Sequence, residues 1–159
     1  MIKVQDAQYW LEAMREEIES IEKNRVWQLV DLPKDRKAIG CKWVLRKKLK
    51  SEGSLDKYKA RLVAKGFTQV EGIDYEEKFS PVVKFQSIWT LEALVARRDL
   101  ELHQMDVKTA FLNDELEEEI YMKQPKEFMV QGHEDKVYKL NRALYGLKQA
   151  SRQLSIKFH

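Results

Sequence analysis

The sequence of 159 residues lacks the features of a secreted or membrane protein. Its single cysteine, Cys41, allows no internal disulfide framework. No apolar run approaches the roughly 20 residues that a membrane-spanning helix needs. The first residues, Met1 to Asp6, carry no apolar core of a signal peptide. We therefore expect an intracellular, cytoplasmic protein with no membrane partner.

Common catalytic and cofactor-binding patterns are absent as well. Three scattered histidines and one cysteine make no zinc-ligand spacing. The six glycines form neither a phosphate-cradling loop nor a dinucleotide fingerprint, and no serine-hydrolase elbow occurs. Apolar residues make up 43% and charged residues 35% of the chain, a composition typical of one soluble globular domain.

What the sequence does have is an uneven charge distribution. The net charge is only +3, but residues 34–66 hold twelve basic and three acidic residues. Residues 136–159 hold six basic residues and no acidic one, whereas residues 1–22 hold six acidic and two basic ones. Two basic blocks in one small domain indicate either a polyanionic partner, most commonly nucleic acid, or a solvated basic face that binds nothing.

The hydrophobic pattern predicts an α+β fold with a mixed or antiparallel sheet and packed helices. A first helix has an apolar stripe from Ala7 to Ile21, with Asp6 as N-cap and Asn24 as its end. Further helices are predicted over 87–98 and, interrupted at Gly146, over 142–158. Predicted strands cover residues 27–30, 42–46, 57–64, 100–106, 120–122 and 137–140, with an acidic patch at 114–119 before the fifth of them. The turn at 51–54 makes strands 42–46 and 57–64 a basic β-hairpin.

One carboxylate has a position that catalytic groups often occupy. Asp106 falls at the end of the predicted strand 100–106, directly before a turn. Sheets commonly present functional groups at strand ends, but an aspartate there is more often only a turn or cap residue. Position alone leaves both interpretations open.

The segment QMDVKTAFLN at 104–113 closely resembles the central motif of copia-type retrotransposon reverse transcriptases. Further stretches resemble the same family in the same order along the chain: WLEAMREE (10–17), NRVWQLV (24–30), IGCKWV (39–44), YKARLVAKGFTQ (58–69), GIDY (72–75), FSPVVK (79–84) and ALYGLKQA (143–150). The resemblance runs essentially from end to end, and many ordered motifs are far more specific than one.

The resemblance implies part of a right-hand polymerase within a Pol polyprotein. Residues 1–99 would be the N-terminal helix and fingers, and residues 100–159 the start of the palm with returning fingers segments, without the rest of the palm and the thumb. The activity implied is that of a nucleotidyltransferase, an RNA-directed DNA polymerase. Its partners would be an RNA template, a DNA primer, a dNTP and other Pol regions, and its cofactor Mg²⁺, held as a pair of ions by palm carboxylates.

The resemblance also assigns roles to individual residues. Asp106 would be the catalytic, metal-binding aspartate, and the backbone carbonyl of Val107 would help to hold the metal. Nucleotide binding would involve Arg61, Lys59, Lys65, Phe111, Ala110, Tyr145 and Gly146. Arg61 would grip the triphosphate, and Phe111 would exclude a ribose 2′-hydroxyl. The nucleic acid would contact Lys42, Arg46, Lys47, Lys48 and Lys148.

The chain departs from the family pattern at one decisive point. The family needs a second motif with two adjacent aspartates, and no such pair occurs in these 159 residues. We therefore expect this polypeptide alone to be inactive as a polymerase. Glu92 also stands on the predicted apolar stripe of helix 87–98, where an unpaired buried carboxylate would be costly. Two alternatives follow: a non-catalytic nucleic-acid-binding remnant of a decayed element, or an inert product with no stable fold.

Overall fold

The computed structural model describes residues 6–77, 83–104, 112 and 115–157. In chain order its helices and strands are α1 (Ala7–Lys23), β1 (Trp27–Val30), β2 (Cys41–Leu49), β3 (Leu55–Ala64), α2 (Phe85–Arg98), β4 (Glu115–Lys123), β5 (Val137–Arg142) and α3 (Ala150–Lys157). Short 3₁₀ turns follow β3 at Gly66–Thr68 and β4 at Lys126–Phe128.

The strands form two antiparallel sheets. A three-stranded sheet has the order β1-β5-β4, and β2 and β3 form the hairpin predicted from the turn at 51–54. Ile39 connects the two sheets, because its N–H donates to the carbonyl of Tyr121 and its own carbonyl accepts from the N–H of Lys123, both at 2.8 Å. The predicted α+β class is confirmed over the described residues, and the sheet that was predicted to be mixed or antiparallel is present as two antiparallel sheets.

Helix α1 follows its predicted pattern closely. It buries Trp10, Ala13 and Ile21 on one side, and Asn24 is its C-cap. Asp6 occupies the N-cap position, but its side chain makes no capping hydrogen bond. The Asp6 carboxylate instead accepts hydrogen bonds from Lys47 and Tyr58 of the hairpin. The residue predicted as a cap therefore joins the helix to the sheet.

One apolar core joins α1, both sheets and the segment before α3. It includes Leu62 from β3, Met122 from β4 and Leu140 from β5, together with Leu144 and Leu147 from the chain that follows β5. Burying side chains of this size is the main favourable contribution to folding. This core fixes the hairpin against the residues that follow β5, and the candidate site lies at that junction.

Three sequence-based expectations are wrong over the described residues. Residues 100–104 form no strand, and Leu100 and Leu102 are exposed, because no described strand lies beside them to complete a ladder. The acidic residues 115–119 lie within β4 rather than before it, since a bulge opposite β5 accommodates them. Residues 143–149 are not helical, because Gly146 has a φ of +92° and turns the chain.

Helix α2 forms as predicted but buries none of its residues. Glu92 is exposed on it, so the burial cost expected for this carboxylate does not arise in this structure.

Candidate nucleic-acid interface

One face of the β2–β3 hairpin is positively charged. Successive strand residues point to opposite faces and directly opposed residues share a face, so the register places six basic side chains together. These are Lys42, Arg46, Lys48, Lys57, Lys59 and Arg61. The two remaining positions on this face are Val44 and Val63, and none is acidic.

The basic residues on this face repel one another. Arg46 lies opposite Lys59 and Lys48 lies opposite Lys57, and directly opposed like charges oppose strand pairing. Burial lowers the pKa of Lys59, and the nearby charges of Arg61, Lys48 and Lys57 lower it further. An anionic ligand lying along this face would relieve the repulsion.

Lys47 belongs to the other face of the hairpin. Its Nζ lies 2.6 Å from a carboxylate oxygen of Asp6, whose second oxygen accepts a 2.8 Å hydrogen bond from the Tyr58 hydroxyl. The hydrogen bond to Asp6 raises the pKa of Lys47. The structure thus separates Lys47 from Lys42, Arg46 and Lys48, with which it was grouped from sequence.

Arg61 lies where the basic face meets the chain that follows β5. Its Cζ is 5.0 Å from the centroid of the Tyr145 ring, within the range of a cation–π contact. On the α1 side, the N–H of Leu62 donates to the Glu17 carboxylate at 3.3 Å. Burial raises the pKa of Glu17, against the opposing effects of that hydrogen bond and of the Lys59 and Arg61 charges.

Two glycines allow the Tyr145–Gly146 turn to approach β3 closely. The N–H of Ala64 donates to the carbonyl of Tyr145 at 2.7 Å. A Cβ added to Gly66 would overlap the carbonyl of Gly146, and a Cβ on Gly146 would overlap the carbonyl of Ala64. The backbones are therefore in direct contact, which only glycine permits at these positions.

Lys65 and Lys148 lie outside the two strands that form the basic face. The Lys65 side chain packs beside Gly40 and lines a cavity of about 480 Å³ together with Cys41 and Lys123. The Nζ of Lys148 donates to the Gln69 carbonyl at 3.2 Å and to the Tyr75 hydroxyl at 3.1 Å. Both lysines thus make contacts within the protein.

The remaining predicted site residues, Asp106, Val107, Ala110 and Phe111, lie outside the described residues. Among the residues that are described, no group of three or more His, Cys, Asp or Glu side chains could hold a metal ion.

Sequence reasoning gave no role to two buried glutamines beside the site. Gln149 is 0% exposed and Gln69 is 5% exposed, and the two side chains are hydrogen-bonded at 3.1 Å. Both occur in segments that resemble the family, but 79 intervening residues separate them, so only the folded chain reveals the pair. In a sequence, a buried glutamine has no pattern that distinguishes it from a solvated one.

The chain belongs to the reverse transcriptase (RNA-dependent DNA polymerase) family, whose model matches residues 24–158. This confirms the resemblance to copia-type elements seen in the motifs. The chain is 55% identical over 148 residues to the retrovirus-related Pol polyprotein from transposon TNT 1-94 of Nicotiana tabacum. It is 46% identical over 144 residues to the Pol polyprotein from transposon RE2 of Arabidopsis thaliana, and 28% identical over 151 residues to the Ty1-BL Gag-Pol polyprotein of Saccharomyces cerevisiae.

These matches cover 93%, 90% and 92% of this chain, but only 11%, 10% and 8% of the respective polyproteins. The chain therefore spans about a tenth of the length of the curated relatives it matches. No solved structure matches it. Within the part of the chain that the structure describes, no helix is both long and apolar enough to cross a membrane.

Proposed function

We propose that this chain forms the fingers and the opening of the palm of an RNA-directed DNA polymerase encoded by a copia-type retrotransposon. Residues 1–99 would supply the N-terminal helix and fingers, and residues 100–159 the first part of the palm. Its partners in the whole polyprotein would be an RNA template, a DNA primer, a dNTP and the other Pol regions.

The observation that carries the proposal is the position of Arg61 at the junction of two elements. It lies on the six-cation face, and its Cζ is 5.0 Å from the centroid of the Tyr145 ring beside the Gly146 turn. A planar guanidinium held by an aromatic ring keeps its N–H groups directed and remains suited to bidentate phosphate binding. This arrangement supports the role of Arg61 in gripping the triphosphate, with Lys59 and Tyr145 beside it.

The remaining roles rest on the family resemblance. Asp106 and the Val107 carbonyl offer hard oxygen donors of the kind that Mg²⁺ prefers, and bound Mg²⁺ would activate the primer hydroxyl and stabilise developing phosphate charge. Phe111 and Ala110 would contact the sugar of the incoming nucleotide. Because the 159 residues contain no adjacent pair of aspartates, further carboxylates must come from elsewhere, and we propose that this polypeptide alone does not polymerise DNA.

A chimaeric enzyme tests the proposal directly. The matching region of the tobacco Pol polyprotein is replaced by this chain, and incorporation of labelled dTTP is measured on poly(rA) primed with oligo(dT). We expect activity, and we expect Asp106→Asn to reduce it by more than about a hundredfold, because a charged metal ligand is lost.

The matched control is Asp99→Asn, the same chemical change at an exposed residue with a φ of 52° that asparagine also tolerates. It should leave incorporation unchanged. Full activity of the Asp106→Asn chimaera would refute the catalytic assignment. A chimaera that folds but does not incorporate dTTP, beside an active parent, would favour the second candidate function.

That second candidate is nucleic-acid binding without catalysis, and the basic hairpin face favours it. Binding carried by phosphate contacts weakens steeply with salt. Fluorescence anisotropy with a labelled RNA–DNA duplex gives the binding constant at each salt concentration. Arg46→Gln removes one phosphate contact, so the plot of log binding constant against log salt concentration should become less steep by about 1. Lys47→Gln is the matched control, because its ammonium pairs with Asp6 on the opposite face. Equal effects of the two substitutions would contradict the assigned interface.

A further inference from the structure

Two buried glutamines occupy the junction between the segment after β3 and the segment before α3. Gln69 follows the 3₁₀ turn Gly66–Thr68, and Gln149 directly precedes α3. Together with Gln124 they are the buried polar side chains among the described residues. A buried amide must find partners for its donors and acceptor, so its partners show what the side chain holds in place.

Gln69 ties its own segment to the chain beyond Gly146. Its Oε1 accepts a 2.9 Å hydrogen bond from the backbone N–H of Lys148, and its Nε2 donates to Oε1 of Gln149 at 3.1 Å. The Nε2 of Gln149 in turn donates to the carbonyl of Asp74 at 3.0 Å. The two amides thus form a continuous chain of hydrogen bonds from residue 148 to residue 74.

Lys148 adds a second connection between the same segments. Its Nζ donates to the Gln69 carbonyl and to the Tyr75 hydroxyl, and lies 4.6 Å from the centroid of the Tyr75 ring. The Tyr75 hydroxyl also donates to the Glu71 carboxylate at 3.1 Å. Residues 69–75 are therefore a platform on which residues 148 and 149 are fixed.

Only Gly146 and Leu147 separate Tyr145, in the candidate site, from the anchored Lys148. Tyr145 and Gly146 lie between β5 and the anchored residues 148–149, and the turn they form is pressed against the end of β3. The Arg61 guanidinium makes its cation–π contact with the ring of Tyr145. A hydrogen-bonded network fixes one register, whereas apolar packing of similar volume tolerates shifts.

We propose that Gln69 and Gln149 are positioning residues that set the Tyr145 ring beneath Arg61 and so orient the guanidinium for a polyphosphate. That Arg61 binds a polyphosphate rests on the proposed function. That the two glutamines position the Tyr145 ring does not. Neither glutamine is assigned any contact with the nucleotide.

The chain offers a matched control for the two glutamines. Gln124 is also buried, and its amide accepts from the N–H of Val130 and donates to the carbonyls of His133 and Lys136 at 2.7 to 2.9 Å. Gln124→Leu removes at least as many hydrogen bonds as Gln149→Leu, but it removes them in the segment between β4 and β5. The two substitutions should therefore lower the melting temperature by similar amounts.

The test compares both variants in the full chain by NMR of the Arg61 side-chain Nε–Hε group. The ring current of Tyr145 shifts this resonance. The Tyr145→Leu variant lacks the ring and therefore gives the position of the resonance without that shift. We expect Gln149→Leu to move the resonance toward that position and to weaken binding of inorganic tripolyphosphate by about tenfold. Gln124→Leu should change neither. Movement of the resonance in both variants, or in neither, would overturn the proposal.

If Gln149→Leu does not fold, Tyr75→Phe replaces it. This variant removes only the hydroxyl that Lys148 contacts, and it should move the Arg61 resonance part of the way. An unmoved resonance in folded Tyr75→Phe would then overturn the proposal. A wild-type chain that binds no tripolyphosphate would count against the nucleotide role of Arg61, while the resonance would still decide whether the glutamines position it.

Discussion

Helices α1 and α2 have similar apolar patterns in sequence but different surroundings in the structure. Helix α1 buries Trp10, Ala13 and Ile21, whereas α2 buries no residue. Phe85 and Trp89 of α2 are 74% and 63% exposed. A stripe of apolar residues is enough to predict a helix, but it does not say where the partner of that stripe lies.

The partner of α1 is the hairpin, and several contacts of different kinds join them. The rings of Trp10 and Tyr58 are nearly perpendicular, with centroids 4.6 Å apart. The Asp6 carboxylate accepts from Lys47 and Tyr58, and Glu17 accepts from the backbone of β3. None of the described elements provides an equivalent surface for α2. The stability of the described structure should therefore depend on the first helix and its neighbours far more than on the second.

The largest expected effect is a contrast between two leucine-to-alanine substitutions. Leu62 is 0% exposed beneath α1, so Leu62→Ala should lower the free energy of unfolding by about 3 kcal/mol through lost burial and the remaining cavity. Leu91 on α2 is 54% exposed, so Leu91→Ala should change it by less than about 0.5 kcal/mol. Urea unfolding of both variants measures the difference. Equal losses would mean that α2 is packed in solution.

A smaller difference in stability is expected between alanine substitutions at two glycines, one with backbone packed against it and one with open space around it. Gly146 has a φ of +92° and its added Cβ would overlap the Ala64 carbonyl, so Gly146→Ala should cost about 2 kcal/mol or more. Gly132 has a φ of +79° but open space around it, so Gly132→Ala should cost about 1 kcal/mol. Thermal unfolding followed by circular dichroism gives both values. An equal cost at the two sites would argue against the backbone contact at Gly146.

The sequence predicted those parts of the fold that depend on neighbouring residues. The α1 stripe, the turn at 51–54 and the hairpin all follow from local pattern, and the structure contains them. The same alternation separates Lys47 from Arg46 and Lys48, although the predicted nucleic-acid contacts include all three. Strand periodicity was therefore the stronger guide to which cations share a face.

Features that depend on distant residues were not predictable in the same way. The alternating pattern of 100–106 predicts a strand, but residues 100–104 form none, because a strand forms only beside a hydrogen-bonding neighbour. Glu115 to Glu119 do not look like a strand, yet Glu115 pairs with Arg142 of β5 and β4 continues from it to Lys123. The contact of Arg61 with Tyr145 joins residues that lie 84 positions apart. The family resemblance predicts a nucleotide-binding role for both residues, but it does not predict their contact with each other.

The smallest expected effect is a pH dependence whose sign differs between two glutamates. Burial raises the pKa of Glu17 above its ordinary value of 4.5. The folded protein then holds this proton more tightly than the unfolded chain does, so the contribution of Glu17 to stability is greatest below about pH 4.5 and falls as the pH rises through the folded pKa. Glu17→Gln keeps an acceptor for the Leu62 N–H, so it should be more stable than wild type at neutral pH, by less than about 1 kcal/mol.

Glu119 provides the opposite case. Its hydrogen bond and charge pairing with Lys139, helped by Arg36, lower its pKa, so its contribution is present above about pH 4.5 and is lost as the pH falls through the folded pKa. Glu119→Gln should therefore be less stable than wild type at neutral pH, and both variants should approach wild type in acid. Urea unfolding between about pH 3 and pH 8 tests both signs. A loss of stability in Glu17→Gln at neutral pH would mean that attraction to Lys59 and Arg61 outweighs burial, and that the α1–hairpin contact is held partly by charge.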